Sequence, residues 1–411
     1  MSATKPTLSS EETQIIDREK QCLVQSYGRY PLVLDHGKGC HVCDLNGRSY
    51  LDFVSGIGVN ALGHGHPRIL EVMREQMEKL IHCSNLYYQR YQGRLAERLV
   101  EISGLKRAFF ANSGTEAVEG ALKIAKGYGR KRSAEKYGIV ALNGSFGGRT
   151  LGSIAVTGQA KYREPFEPLM PGVTFVDVND SYGLEAAVSE STAAIIFEPI
   201  LGEGGLVEVT RQFAQRAAEL AGQNDALLIF DEIQCGLGRT GRYFGYQWWD
   251  DGAPIQPDIV LVAKPLAAGL PLAAILINEK AAEVITPGMH GTTFGGGVLV
   301  CRLALEFLDL VEELLPHIQE TGDYFRERLG ELVVKYDFVK EVRGKGLMVG
   351  LNLTVPGKTV VPKLQEAGLL INCTAETVLR FLPPYIIEKQ HIDELAAGLD
   401  KIFEQGPPDQ Q

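Results

Sequence analysis

The 411-residue chain lacks a basic surplus, a cysteine framework and any long apolar run free of charge. Its 41 Lys and Arg stand against 51 Asp and Glu, a formal net charge of −10. That balance excludes a general affinity for nucleic acid or an anionic membrane surface and leaves only local arginine sites for small anions. Seven cysteines, an odd number scattered along a long chain, argue against a disulfide scaffold and for a reducing compartment. Cys40 and Cys43 form a C-x-x-C, but no second pair follows at zinc-finger spacing, and Asn46-Gly47 marks the stretch as a hairpin. The first twenty residues, MSATKPTLSSEETQIIDREK, hold no apolar signal core, and their Glu and Asp are foreign to a transit peptide. A cytoplasmic protein is expected. There is no internal repeat, and the one biased segment is the tail QGPPDQQ, which should fray.

What is present is a run that imitates a membrane span. Residues 259–277, IVLVAKPLAAGLPLAAILI, are apolar or small except for Lys264. A lysine near a helix centre costs about 2.5–3.5 kcal/mol on insertion, and Pro265 and Pro271 would break the helix. The stretch parses better as strand IVLVA, turn KPLAAGLP and strand LAAILI. Similar runs, RAFFAN, GIVAL, SIAVT, VTFVDV, AAIIFEPI and ALLIF, alternate with helical patterns from about residue 107. Apolar strands without alternation are buried on both faces, so a mostly parallel sheet covered by helices is expected. Upstream lie a helix over 11–25 capped by Ser9 or Ser10, a meander (LVLD, CHVCDL, SYLDF) and an amphipathic helix from Pro67. Downstream, GVLVCRLALEFLDLVEEL and IQETGDYFRERLGELVVKY read as two long helices, with short strands near 347–353 and 378–382 and a helix over 390–405. The expected fold is α/β. A large domain (63–305) has its sheet flanked by helices, and a smaller α+β domain is built from the two chain ends (1–62 and 306–411).

Ligands of open parallel sheets bind beyond the carboxyl ends of the strands. There the sequence places Lys264 after IVLVA and Asp231, Glu232 and Gln234 after ALLIF. Ser113-Gly114-Thr115-Glu116 follows RAFFAN and opens a helix, a turn that offers free N–H groups and hydroxyls to an anion. A glycine-rich loop after GIVAL carries Phe146 and Arg149. An amine, a carboxylate, an anion nest and a flat apolar ring are the set that pyridoxal phosphate asks for. Each alone reads at least as well, and Lys264 and the S-G-T-E turn better, as a strand end, a helix cap or core; their joint placement carries the argument. Two motifs are set aside. GLGRTG (236–241) matches G-x-G-x-x-G, but five residues separate it from the strand and no helix follows. The H-x-H of GHGHP (63–67) lacks further ligands, and Pro67 opening a helix explains the turn. No metal is expected.

Read together and in order, FANSGTEAVEGALKIAK, FGGRTLGSIAVTGQAKY, IIFEPILGEGG, LLIFDEIQCGLGRTG, PDIVLVAKPLAAGLP, HGTTFGGG and LRFLPP resemble the class III aminotransferases of fold type I. GIGVNALGHGHP and HCSNLYY are similar to the acetylornithine aminotransferase branch. The resemblance implies pyridoxal 5'-phosphate bonded to Lys264, Asp231 at the pyridinium nitrogen and Gln234 at the phenolic oxygen. It implies Ser113, Gly114 and Thr115 at the phosphate, joined by Thr293 of the partner subunit in a homodimer with a shared active site, and Phe146 stacked on the ring. Arg149, with Thr292 nearby, would bind the α-carboxylate of acetylornithine. Arg380 would bind the carboxylate of glutamate or 2-oxoglutarate and pair with Glu203 in its absence. The implied reaction moves the δ-amino group of N2-acetyl-L-ornithine to 2-oxoglutarate. Succinylornithine, succinyldiaminopimelate, ornithine and GABA are rival donors, and a silent pyridoxal phosphate-binding homologue is the non-catalytic rival. The chain departs from the family at Gly147 (often His), Cys235 (commonly Thr) and Gly297-Val298 (usually Asn-Pro). It has Gly56 about where ornithine aminotransferases carry a tyrosine, which leaves room for an acylated amine.

Overall fold

Seven of the eight apolar runs read as strands pair side by side in one sheet. In this computed structural model, which describes residues 8–408, they are β1 (Arg107–Ala111), β2 (Gly138–Leu142), β3 (Val173–Val176), β4 (Thr192–Phe197), β5 (Leu227–Asp231), β6 (Ile259–Val262) and β7 (Ala273–Ile277). Their order is β1-β7-β6-β5-β4-β2-β3. The strands from β6 to β3 run parallel, and β7 is antiparallel to both β6 and β1. Every residue of β4 to β7 is buried, which is why their sequences do not alternate. On one face, helix Gly114–Arg130 packs Ala117, Val118 and Ala121 with Ile139, Ile229 and Ile275. The other face buries Phe197 and Phe230 with Phe213 and Ala217 of helix Arg211–Gln223. Each large apolar side chain so buried contributes about 1.5–3 kcal/mol. The false membrane span is accounted for: its halves are neighbouring strands, with Val260 opposite Leu276. No helix among the described residues is long and apolar enough to cross a membrane.

The eighth run is a correction. SIAVT lies mostly in a short helix, Leu151–Ala155. Its β-branched residues favour a strand, but local hydrogen bonding overrides them. Thr150 and Ser153 form a reciprocal cap, and Glu119 accepts from the backbone N–H of Gly152 and Ser153. A second correction concerns the two long helices, which are one, Val298–Lys335, with Pro316 inside. Proline removes one ladder hydrogen bond and costs about 3 kcal/mol, so the sequence suggests a break. The buried stripe nevertheless continues across it, through Leu308, Val311, Ile318, Phe325 and Leu329, and this burial offsets the cost.

The chain ends meet. Ser9 caps helix Ser10–Cys22 in a reciprocal box with Glu12, and the helix stops three residues short of the expected end. Strands Leu34–Lys38, His41–Asp44 and Ser49–Asp52 form the meander, the first starting two residues later than LVLD. Its last strand pairs in parallel with Leu369–Leu370, near the other end of the chain. A second small sheet holds Met348–Leu353 and Val378–Phe381, as expected, plus Val339–Lys345 and Asn372–Thr374, which the sequence reading did not identify. Helix Lys389–Phe403 closes the fold. Residues 1–7 and the last three of the tail QGPPDQQ lie outside the described residues.

Candidate active site

Because β5 and β6 are parallel neighbours, their carboxyl ends open side by side, and the residues that follow share one cavity of about 430 Å³. Asp231 closes β5, and Lys264 stands two residues beyond β6, turned out by the Pro265 bend. Lys264 is partly accessible through the cavity it lines. Desolvation pushes its ammonium below the ordinary lysine value, against the opposing pull of Asp231 and Glu198. Asp231 accepts a hydrogen bond from Ile233 N (3.0 Å), and burial raises its carboxyl to about 6, with Lys264 working the other way.

Ser113, Gly114 and Thr115 line the same cavity at the start of the 17-residue helix Gly114–Arg130, where N–H groups lack intrahelical partners. Ser113 Oγ accepts from Glu116 N (3.4 Å), while the Glu116 carboxylate holds Asn112 N and Nδ2 (2.9 and 2.8 Å). A Cβ at residue 114 would stand 2.9 Å from Ile233 Cδ1, so a side chain there would displace Ile233. Phe146 and Arg149 come from the loop after β2 and line the cavity opposite. Arg149 is exposed; its guanidinium lies 3.8 Å from the Tyr162 ring centre and 5.0 Å from that of Phe146. The departure at Gly147 suits this packing, since a Cβ there would stand 2.6 Å from Ser153 O.

Gln234 connects the cavity to the second arginine. Arg380, on strand Val378–Phe381, is 1% exposed and donates from Nη1 to Glu203 Oε1 (2.6 Å), Gly202 O (3.1 Å) and Gln234 Oε1 (3.3 Å). Its Nε donates to Asn372 Oδ1 (3.2 Å). The two threonines are not brought in by this chain. Thr292 Oγ1 accepts from Asn112 Nδ2 and Gly295 N (3.1 Å each) and lines a neighbouring cavity instead, and Thr293 is exposed. Gly56 is likewise exposed in a left-handed turn, and Val59 of the same segment forms the cavity wall.

One buried carboxyl, Glu198, escaped the sequence reading, and a second, Glu232, was read there only as a strand-end residue. Glu198, one residue past β4, accepts from Phe146 N (2.9 Å) and Gly202 N (3.1 Å). Burial, reinforced by Asp231, raises it to about 8. Its signal was the lone acid in IIFEPI. Glu232 anchors the following loop through Gly245 N (2.8 Å), Tyr246 N (2.9 Å) and Cys235 Sγ (3.2 Å), so the thiol at the family's threonine position still serves as its donor. Burial raises Glu232 to about 7.

The motifs set aside have other partners. Arg239 of GLGRTG is buried and donates to Leu347 O and Pro383 O, and no helix follows directly. His64 Nε2 lies 2.9 Å from Asp52 Oδ2. Cys40 and Cys43 are free thiols. Gly297 caps the helix that Val298 begins.

The donor set fits pyridoxal phosphate: an amine opening into the cavity, a buried carboxylate, a helix N-terminus and an aromatic ring around one space of cofactor size. Comparison with known proteins points the same way. The family described as "Aminotransferase class-III" matches residues 23–403. The acetylornithine aminotransferase of Methanocaldococcus jannaschii is 47% identical over 391 residues, 94% of this chain and 97% of that protein. Among solved structures, the ornithine aminotransferase of Toxoplasma gondii ME49 superposes with a TM-score of 0.90 at 33% identity, covering 97% of this chain and 96% of that one. The acetylornithine aminotransferase of Elizabethkingia anophelis gives 0.84 at 30% identity, covering 96% and 99%.

Proposed function

The chain belongs to the class-III aminotransferases and is a pyridoxal phosphate-dependent transaminase. On that premise we propose that it transfers the δ-amino group of N2-acetyl-L-ornithine to 2-oxoglutarate, giving N-acetylglutamate 5-semialdehyde and glutamate in arginine biosynthesis. One observation carries the reading: the cavity is lined by Arg149, which has no carboxylate partner among the described residues, and reaches through Gln234 to Arg380, which Glu203 neutralises. A donor with one carboxylate needs only the first. A keto acid with two can use both, once Glu203 yields.

When bound, the cofactor supplies an aldehyde that takes up an amino group and a ring that withdraws electron density. Lys264 would hold it through Nζ, Asp231 would face its ring nitrogen and Gln234 its ring hydroxyl. Ser113, Gly114 and Thr115 would hold the phosphate, and Phe146 would pack on the ring. Burial lowers the Lys264 ammonium below the ordinary lysine value, so Nζ gives up its proton more readily than an exposed lysine does. That lets it accept a proton from the carbon bearing the substrate amine and return it. Above about pH 6 Asp231 is a carboxylate and keeps a proton on a nitrogen facing it. Arg149 grips one substrate carboxylate in a two-pronged fashion, and Arg380 takes the other.

We further propose a homodimer in which Thr293 of the partner subunit completes the phosphate site. The exposed Leu86 (84%), Tyr87 (69%) and Phe294 (66%), on segments joined through Asn85 and Thr292, support it. The lobes divide into 63–305 and the paired ends 1–62 and 306–411. We place the protein in the cytoplasm, where its free thiols stay reduced. The test of function is a donor comparison, with 2-oxoglutarate as acceptor and glutamate formation as readout. Acetylornithine should exceed ornithine, GABA and the succinylated amines in kcat/KM; no turnover of acetylornithine would overturn the reading.

A further inference from the structure

Outside the cavity wall, one half-buried carboxylate gathers donors that its own helix does not supply. Glu119 sits one turn after Thr115 on the same face of helix Gly114–Arg130. Its Oε1 alone accepts from Thr150 Oγ1 (2.6 Å), Gly152 N (2.9 Å) and Ser153 N (3.3 Å). One turn earlier, Thr115 Oγ1 accepts from Arg149 N (3.2 Å) and Thr150 N (3.4 Å) and meets Ser153 Oγ at 2.6 Å. Two glycines permit the approach. A Cβ at 148 would lie 2.3 Å from Thr115 Oγ1, and one at 152 would lie 2.2 Å from Glu119 Oε2. Together these groups fix the backbone on both sides of Arg149. Its guanidinium has no carboxylate partner among the described residues and rests on the rings of Tyr162 and Phe146.

We infer that Glu119 is a positioning residue for substrate recognition, holding the Arg149 loop in register with the helix whose first residues form the anion cradle. This rests on Arg149 being the arginine that grips the donor's carboxylate. Two-pronged recognition requires the guanidinium at a set distance and angle from the reacting end, and small misplacements are costly. A carboxylate is suited to the task because its hydrogen bonds from N–H and O–H donors are charge-assisted. Without it, the backbone beside Arg149 keeps the neutral bonds of Thr115 and Ser153, and the loop's other anchors, Glu198 to Phe146 N and Thr157 to Gly147 N, lie before Arg149.

The test uses the holoenzyme and its E119A, E119Q and R149A variants. In E119A the KM for the amino donor should rise about tenfold while kcat stays within about twofold, the pattern of a lost ground-state contact. In E119Q, which keeps a carbonyl oxygen to accept, KM should stay within about threefold of wild type. Calorimetric binding of N-acetyl-L-norvaline, which has the donor's carboxylate but no transferable amine, should weaken about tenfold in E119A and be lost in R149A. Cofactor affinity should stay within about twofold of wild type in E119A. E119A added to R149A should cause no further loss. Wild-type KM and norvaline binding in E119A, with R149A impaired, would overturn the inference while sparing the function of Arg149. A fall in kcat and cofactor affinity without the selective KM change would overturn it in favour of a purely structural role. Unimpaired norvaline binding in R149A would overturn the reading of Arg149 itself, and this inference with it.

Discussion

Two arginines stand by one cavity in opposite conditions, Arg149 in its lining and Arg380 reaching it through Gln234. Arg380 is buried, fixed by four acceptors and already neutralised by Glu203 at 2.6 Å. Arg149 is exposed, lies on two aromatic rings and has no carboxylate partner among the described residues. A buried guanidinium must be paired, because desolvating a lone charge is expensive, so Arg380 carries Glu203 as its own counter-charge. An exposed one can wait unpaired in water. On the proposed roles, the difference teaches how one pocket would take two substrates in turn: the open arginine would bind both, and the occupied one only what displaces Glu203.

Removing the group that both arginines serve should have the largest effect. Lys264→Ala should lower turnover by at least about 10³-fold. Mass spectrometry after borohydride reduction should find the cofactor attached to wild type but not to the variant. Retained turnover would leave the comparison without a centre. Next, Arg380→Ala should raise the KM for 2-oxoglutarate about 100-fold and that for the amino donor no more than about threefold, and lower the melting temperature because Glu203 loses its partner. Equal effects on both substrates would erase the distinction between the two sites. Glu203→Gln sharpens it: with Arg380 freed, discrimination against glutamate as a donor should fall by about tenfold, read as the ratio of kcat/KM for acetylornithine to that for glutamate.

The smallest expected effect concerns Glu198. Its carboxyl titrates at about 8 when folded and near 4.3 when unfolded, so the native state binds the extra proton between those values. Its contribution to stability therefore declines as pH rises from about 4.5 to 8. Melting temperatures of the cofactor-free protein should fall with pH over this window more steeply in wild type than in Glu198→Gln. Parallel slopes would show that Glu198 is ionised in the folded protein.

The sheet and the strand-end residues were legible because buried parallel strands write themselves as unbroken apolar runs, and ligands gather where those runs stop. SIAVT misled for a physical reason: its β-branched residues are strand formers, while the carboxylate that helps cap its helix, Glu119, lies more than thirty positions upstream. Pro316 misled in the opposite sense, since a break signal read locally was outweighed by a stripe of burial on both sides. Glu198 was visible as an acid inside an apolar run, but its two donors come from separate loops and no spacing announces them. Thr292 and Thr293 carry no signal of which cavity, or whose, they face.

The parallel pairing of Ser49–Asp52 with Leu369–Leu370 sets a timetable for synthesis. At about 5–20 residues per second, the first strands leave the ribosome on the order of 20–60 s before the partner that completes them. Through that interval the strand edge has no mate in its own chain, and neighbouring nascent chains on the same messenger offer the same edge. Crowded translation is therefore a condition that leaves this strand edge open to mispairing.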